Sequence, residues 1–252
     1  VTISPLEEGG FEITVVNPGG PAEAAGIQLG DVIVAVGGQS VLEMDTTACR
    51  DLVRGEEGTF VDITVKRGQQ ELTLSVERKT VQTAVATGEM LEGNVGLVTI
   101  VNFDARCFDE SVAAIEELLG QGATSIIFDV RYNPGGYAHE LVALLDYLLP
   151  EGKLFVSKDH TGKEQVDMSD EACLDIPMAV LVNEASYSAA EFFAAVLQEY
   201  EAAVIIGTKT VGKGNFQYTL PLQDGSAMVL SSGKYYTPQG RSLTDVGVTP
   251  DI

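Results

Sequence analysis

Ile176-Pro-Met-Ala-Val-Leu-Val-Asn-Glu-Ala-Ser-Tyr-Ser-Ala-Ala-Glu191 is the stretch on which the fold turns. Met178 to Val182 is a short apolar run of the kind that forms a buried strand. A turn of small and polar residues follows, and then an alanine-rich helix carrying Phe192, Phe193, Val196 and Leu197. Strand, tight turn and helix in this order predict a layered α/β arrangement. Ser188 sits at the turn, and two accounts of it are open. With Glu191 it has the S-x-x-E spacing of a capping box, which would make it a helix N-cap and nothing more. The other account is a nucleophile raised at a helix N-terminus, where small neighbours, Ala189 and Ala190, let a substrate backbone come close.

Outward from this stretch the same alternation continues. Buried-type strands are expected at Thr124 to Val130 and Ala203 to Ile206. Before the first of these, helix 108–119 would place Phe108, Val112, Ile115 and Leu119 on one stripe, and the next helix, between the two strands, Leu141, Leu144, Leu145 and Leu148 on another. Before Lys79 the rhythm differs. Short apolar runs at Phe11 to Val16, Asp31 to Val36, Phe60 to Val65 and Leu72 to Val76 alternate with turn signals, interrupted by helical patches at Pro21 to Ala25 and Thr46 to Val53. The expected organisation is therefore a small β-rich domain over residues 1–80 and a mixed α/β domain over residues 81–252.

Composition narrows the function. The chain of 252 residues carries 15 Lys plus Arg against 37 Asp plus Glu, a net charge of −22 whose field repels phosphate backbones, so no nucleic acid partner is expected. Apolar runs such as Phe192 to Leu197 fall far short of the ~18 residues of a membrane span. Three scattered cysteines, Cys49, Cys107 and Cys173, make neither a disulfide framework nor a CxxC site. With only His139 and His160 and no HExxH, neither a zinc centre nor any other cofactor or metal is expected. The first residue is Val1, without an apolar leader, which reads as a fragment or a processed form.

Two further segments bear on chemistry. Gly207-Thr-Lys-Thr-Val-Gly-Lys213 nearly matches a phosphate-binding loop, but Gly214 stands where a magnesium-binding hydroxyl is needed, and Asn215 to Leu220 reads as a strand instead of the required helix. Lys213, between two glycines and flanked by apolar strands, is either a turn lysine facing water or, if buried and held neutral, a base for Ser188. Asp129-Val-Arg-Tyr-Asn-Pro-Gly-Gly136 ends a buried strand; its paired glycines serve as a turn, and they can also present backbone N–H groups to a developing oxyanion.

Taken in order, these segments resemble the carboxyl-terminal processing (tail-specific) serine proteases over nearly the whole chain. Pro21 to Val36 is similar to their PDZ segment, Asp129 to Gly136 to their D-x-R-x-N-P-G-G loop, and Asn183 to Glu191 to their N-x-x-S-x-S-x-S-E turn. Val211 to Gln217 resembles F-G-K-G-x-x-Q, and Lys234 to Ser242 completes the pattern. Ala190 replaces the family's third serine and Val211 its usual Phe. The resemblance implies a PDZ domain followed by a ClpP/crotonase-like mixed α/β serine peptidase domain. It implies Ser188 as nucleophile, Lys213 as general base, Gln217 orienting the lysine, and the backbone N–H of Ala189 with one from the Gly135-Gly136 pair as the oxyanion hole. It implies protein or peptide substrates with apolar C-termini, a homo-oligomer or a regulatory adaptor as partner, and a bacterial, extracytoplasmic setting, periplasmic or tethered to the membrane through a segment outside this chain. In the family a glycine-containing carboxylate-binding loop precedes the strand expected at Val1 to Ile3, so the groove would lack that loop here. A catalytically silent or resting peptide-binding scaffold of the same fold is the alternative.

Overall fold

A computed structural model describes residues 1–252, which divide into two compact units, Val1–Thr83 and Ala84–Ile252. In the first, Thr2–Pro5 (β1), Phe11–Val15 (β2), Val32–Val36 (β3), Gln39–Ser40 (β4), Phe60–Arg67 (β5) and Gln70–Glu77 (β6) form a six-stranded sheet in the order β1-β2-β3-β5-β6, with β4 on β3. Every pairing is antiparallel. Alternation puts Val61, Ile63 and Val65 inward against Phe11, Ile13 and Ile33. The β5–β6 hairpin closes Arg67 on Gln70, and its two-residue loop starts with Gly68 at φ 62°, a conformation that glycine adopts without a Cβ penalty. Helix Pro21–Ala24 (α1) starts with its proline, and helix Thr46–Val53 (α2) is capped by Asp45, whose side chain accepts from the Ala48 N–H at 2.8 Å.

The second unit is built on a five-stranded sheet in the order β13-β12-β9-β8-β7: Ala203–Gly207 (β13), Met178–Val182 (β12), Ser125–Asp129 (β9), Val95–Ile100 (β8) and Ala86–Leu91 (β7). Its first four strands are parallel and β7 is antiparallel. Helices Cys107–Gly120 (α3), Ala138–Leu148 (α4) and Ala189–Glu199 (α5) pack with it into one core. A second, antiparallel sheet follows the order β11-β10-β15-β14, from Glu164–Ser169 (β11), Gly152–Asp159 (β10), Ala227–Tyr236 (β15) and Asn215–Pro221 (β14). No helix is long and apolar enough to cross a membrane.

Helix α4 buries the expected Leu141, Leu144, Leu145 and Leu148, whereas α3 departs from its expected stripe. Of Phe108, Val112, Ile115 and Leu119 only Ile115 is fully enclosed; the buried face is Cys107, Ser111, Ala114, Ile115 and Leu118. Small residues at 111 and 114 let the helix backbone approach its neighbours, and the bulkier Phe108 and Leu119 close the margins. Helix α5 is enclosed from Ala189 to Leu197, a span apolar on every side but for Glu191.

Candidate active site

Strands β9 and β12 are parallel neighbours, so the loops leaving their carboxyl ends emerge side by side, where open α/β sheets place their crevices. Polar residues join these loops. Asn183 Oδ1 accepts the N–H of Tyr132 at 3.0 Å and of Ala185 at 3.1 Å, and Ser186 Oγ donates to the Val130 carbonyl at 2.8 Å. The Asn133 carbonyl takes the Tyr187 N–H at 2.9 Å. Asn133, fully buried, donates from Nδ2 to the Ile100 carbonyl and accepts the Gly135 N–H, both at 2.8 Å. Asn133, Asn183 and Ser186 are enclosed, which makes the bonds of their side chains costly to lose.

The turn delivers Ser188 in an uncommon conformation, φ 56° and ψ −114°, at the N-cap of α5. Such backbone costs of order 1–3 kcal/mol for a residue with a Cβ and persists only where its surroundings over-determine it. Gly135 supplies part of that surrounding. A Cβ at this position would lie 2.8 Å from the Ser188 Cβ and 2.9 Å from the Ala189 nitrogen, so the absent side chain allows the contact. Gly136 stands as close to the Phe103 backbone and lines the cavity in front of Ser188.

That cavity, of about 410 Å³, is walled by Leu141, Phe155 and Phe192, and it brings Ser188, Ala189, Gly136, Lys213 and Gln217 to one place. Lys213 is half-buried, its Nζ 5.9 Å from the centroid of the Tyr187 ring, the residue just before Ser188. The segment that carries it runs straight into strand β14, so the near-match to a phosphate-binding loop lacks the helix that such a loop opens.

Two further residues implied by the resemblance have partners of their own. The N–H of Gly135 is engaged by Asn133 Oδ1, so it cannot serve an oxyanion, whereas the N–H groups of Ala189 and Gly136 make no hydrogen bond. Gln217 lines the cavity but donates from Nε2 to Ser231 Oγ at 3.5 Å, not to Lys213. A register shift between Phe216 and Gln217 re-aims the side chain at that point in the strand.

Two residues acquire a place in the site that spacing alone did not reveal. Glu191, fully enclosed, accepts the Ser188 N–H at 2.8 Å and the Lys213 N–H at 2.9 Å on the same oxygen, Oε2. Its Oε1 takes the Thr210 hydroxyl and the Gly212 N–H, both at 2.6 Å. The S-x-x-E spacing signalled half of this arrangement; the tie to Lys213 needs the tertiary fold. Tyr235 lines the cavity and donates its phenol to the Lys213 carbonyl. Burial pushes that phenol far above its ordinary pKa, opposed by the hydrogen bond of the neighbouring Ser188 hydroxyl.

Comparison with known proteins gives the family. Peptidase family S41 matches residues 94–252, and the PDZ domain family matches residues 12–67. A probable CtpA-like serine protease of Staphylococcus epidermidis is 35% identical over 247 residues, covering 96% of this chain and 50% of the relative. The carboxy-terminal processing protease CtpA of Bacillus subtilis is 34% identical over 252 residues, covering 98% of this chain and 54% of its own. The chain thus spans about half the length of the curated relatives it matches. Among solved structures, a photosystem II D1 C-terminal processing protease is 29% identical with a TM-score of 0.61, covering 100% of this chain and 70% of that one. An S41 protease of Bacteroides fragilis, 21% identical with a TM-score of 0.70 over 99% of this chain and 73% of its own, shares the fold. A family match over most of the chain, carried by relatives of this identity, means that the chain belongs to peptidase family S41, with a PDZ domain preceding the peptidase region.

Proposed function

We propose that the chain is the PDZ and peptidase portion, residues 1–80 and 81–252, of a serine endopeptidase that processes proteins near apolar C-termini. The observation that carries this reading is the convergence of Ser188, Lys213 and two unengaged N–H groups on one cavity. Ser188 Oγ attacks the scissile carbonyl while Lys213 Nζ takes the hydroxyl proton. The oxyanion that forms is held by the N–H groups of Ala189 and Gly136, the first supported by the positive end of the α5 dipole. Lys213 then gives its proton to the leaving amine, the C–N bond breaks, and an ester to Ser188 remains. Water adds to that ester with Lys213 again as base, and Ser188 is released. In the first unit, the exposed edge strand β1 and a cavity lined by Val1, Ile27, Val53 and Arg54 suit an extended apolar tail that adds to the sheet. An extracytoplasmic location is proposed on the family resemblance alone.

The test is hydrolysis of an unfolded protein with an apolar C-terminus by the parent chain and by Ser188→Ala and Lys213→Ala. Cleavage by the parent alone is expected, with both variants lower by at least ~10³-fold. Full activity of Lys213→Ala would sink the dyad. The bond from Gln217 to Ser231 favours a second reading, a resting conformation. Tail binding without turnover under any condition would support that scaffold role instead.

A further inference from the structure

Beside the catalytic cavity lies a second one, of about 460 Å³, which shares Ala138, Phe155, Phe216 and Gln217 with it. An extended chain bound across Ser188 would therefore pass one cavity with a neighbouring side chain entering the other. The construction of the second cavity follows from strand register. Phe155 and Ser157 on β10 lie directly opposite Asp167 and Gln165 on β11, so all four share one face of the sheet. Val142 of α4 closes one side, and Phe216 and Tyr218 of β14, whose rings meet edge to face at 5.6 Å, line another. The result is a throat with apolar and aromatic walls, His139 and Gln217 also on its lining, and a carboxylate at its margin. Asp167 is half-buried and has no cationic partner; its side-chain contact is the Gln165 amide at 3.4 Å.

We infer that this second cavity is a substrate subsite for a basic side chain, Lys or Arg, and that Asp167 determines the preference. The inference rests on the peptidase reading and adds a substrate feature to it. Lys and Arg have apolar stems that match the walls, and their charged ends seek a carboxylate while tolerating aromatic faces on the way. A leucine or phenylalanine would fill the throat but would leave the Asp167 carboxylate partly desolvated without a cationic partner. The net charge of −22 on the chain works in the same direction.

The experiment uses an apolar peptide in which each position in turn carries Arg or its uncharged isostere citrulline. Hydrolysis is measured with the parent chain, and affinity by fluorescence anisotropy with Ser188→Ala. At one position Arg is favoured about fivefold in both readouts, the size expected of a partly exposed ion pair. Asp167→Asn removes that preference and Asp167→Lys reverses it, with unchanged far-UV circular dichroism reporting that each variant is folded. Equal ratios at every position, no binding of any Arg peptide, or a preference that survives Asp167→Asn overturns the proposal. A stronger preference for Leu or Phe at that position does so too, since it identifies a purely apolar subsite. If the parent hydrolyses none of the peptides, the peptidase reading fails, whereas the Arg-to-citrulline ratio in binding still decides this one.

Discussion

Glu191 Oε2 receives the N–H of the proposed nucleophile and the N–H of the proposed base at once, so a single carboxylate oxygen sets the distance between two chain segments 25 residues apart in their functional side chains, Ser188 and Lys213. Glu191 touches no reacting atom in this scheme; it is a positioning residue. Its four donors are enclosed or nearly so, and removing the acceptor would leave them without partners. In Glu191→Gln one oxygen becomes an NH₂ that faces N–H groups. The expected outcome is a loss of about 2–3 kcal/mol in urea unfolding. A fall in kcat of more than ~10-fold is expected with KM nearly unchanged, because geometry in the transition state is disturbed more than ground-state binding. A parallel rise in KM, or rescue of kcat by cooling alone, would point to a merely structural role.

At the scale of elements, the antiparallel sheet of the first unit is pinned at one place by charge. Asp31, enclosed at the start of β3, accepts Arg67 Nε at 2.7 Å and a second guanidinium nitrogen at 2.8 Å, and it also takes the Gln28 N–H at 2.9 Å. The Arg67 hydrogen bond holds the Asp31 carboxyl below its ordinary pKa despite its burial. A folded-state value below the unfolded one stabilises the fold at pH values above the ordinary carboxylate range, and the stabilisation fades as pH falls through that range. Amide-exchange protection in β3 and β5 is therefore expected to be full at neutral pH and to drop on acidification below pH ~4. Arg67→Met should show reduced protection already at neutral pH and a flatter acid dependence. Protection in the parent that is indifferent to acid would remove the ion pair from the stability of this sheet. In the second unit, the positions of α4 were legible from leucine spacing, whereas the face of α3 was not. Its buried side is chosen by small residues, Ser111 and Ala114, which carry little hydrophobic signal but allow close packing.

The whole molecule carries 22 more acidic than basic groups, and this field acts on any charged substrate before contact. Raising the ionic strength from ~0.01 to ~0.15 M shortens the screening length from ~30 to ~8 Å. Across that range, kcat/KM should fall severalfold for a cationic peptide, rise for an acidic one and stay level for a neutral one. A common response of all three would mean that the local environment of the cavity, not the net charge, governs encounter.

The order of strand, turn and helix around Ser188, the two-part organisation and the leucine face of α4 follow from sequence alone, because periodicity and turn chemistry are local properties. Only the tertiary structure decided that Gly135 shapes the site while Gly136 and Ala189 keep unengaged N–H groups. Hydrogen-bond partners such as Asn133 and Ile100 come from segments far apart in the chain. The double tie of Glu191, the place of Tyr235 and the redirection of Gln217 toward Ser231 have the same origin. Each depends on which distant backbone group arrives within about 3 Å, and no spacing rule along the chain encodes that distance.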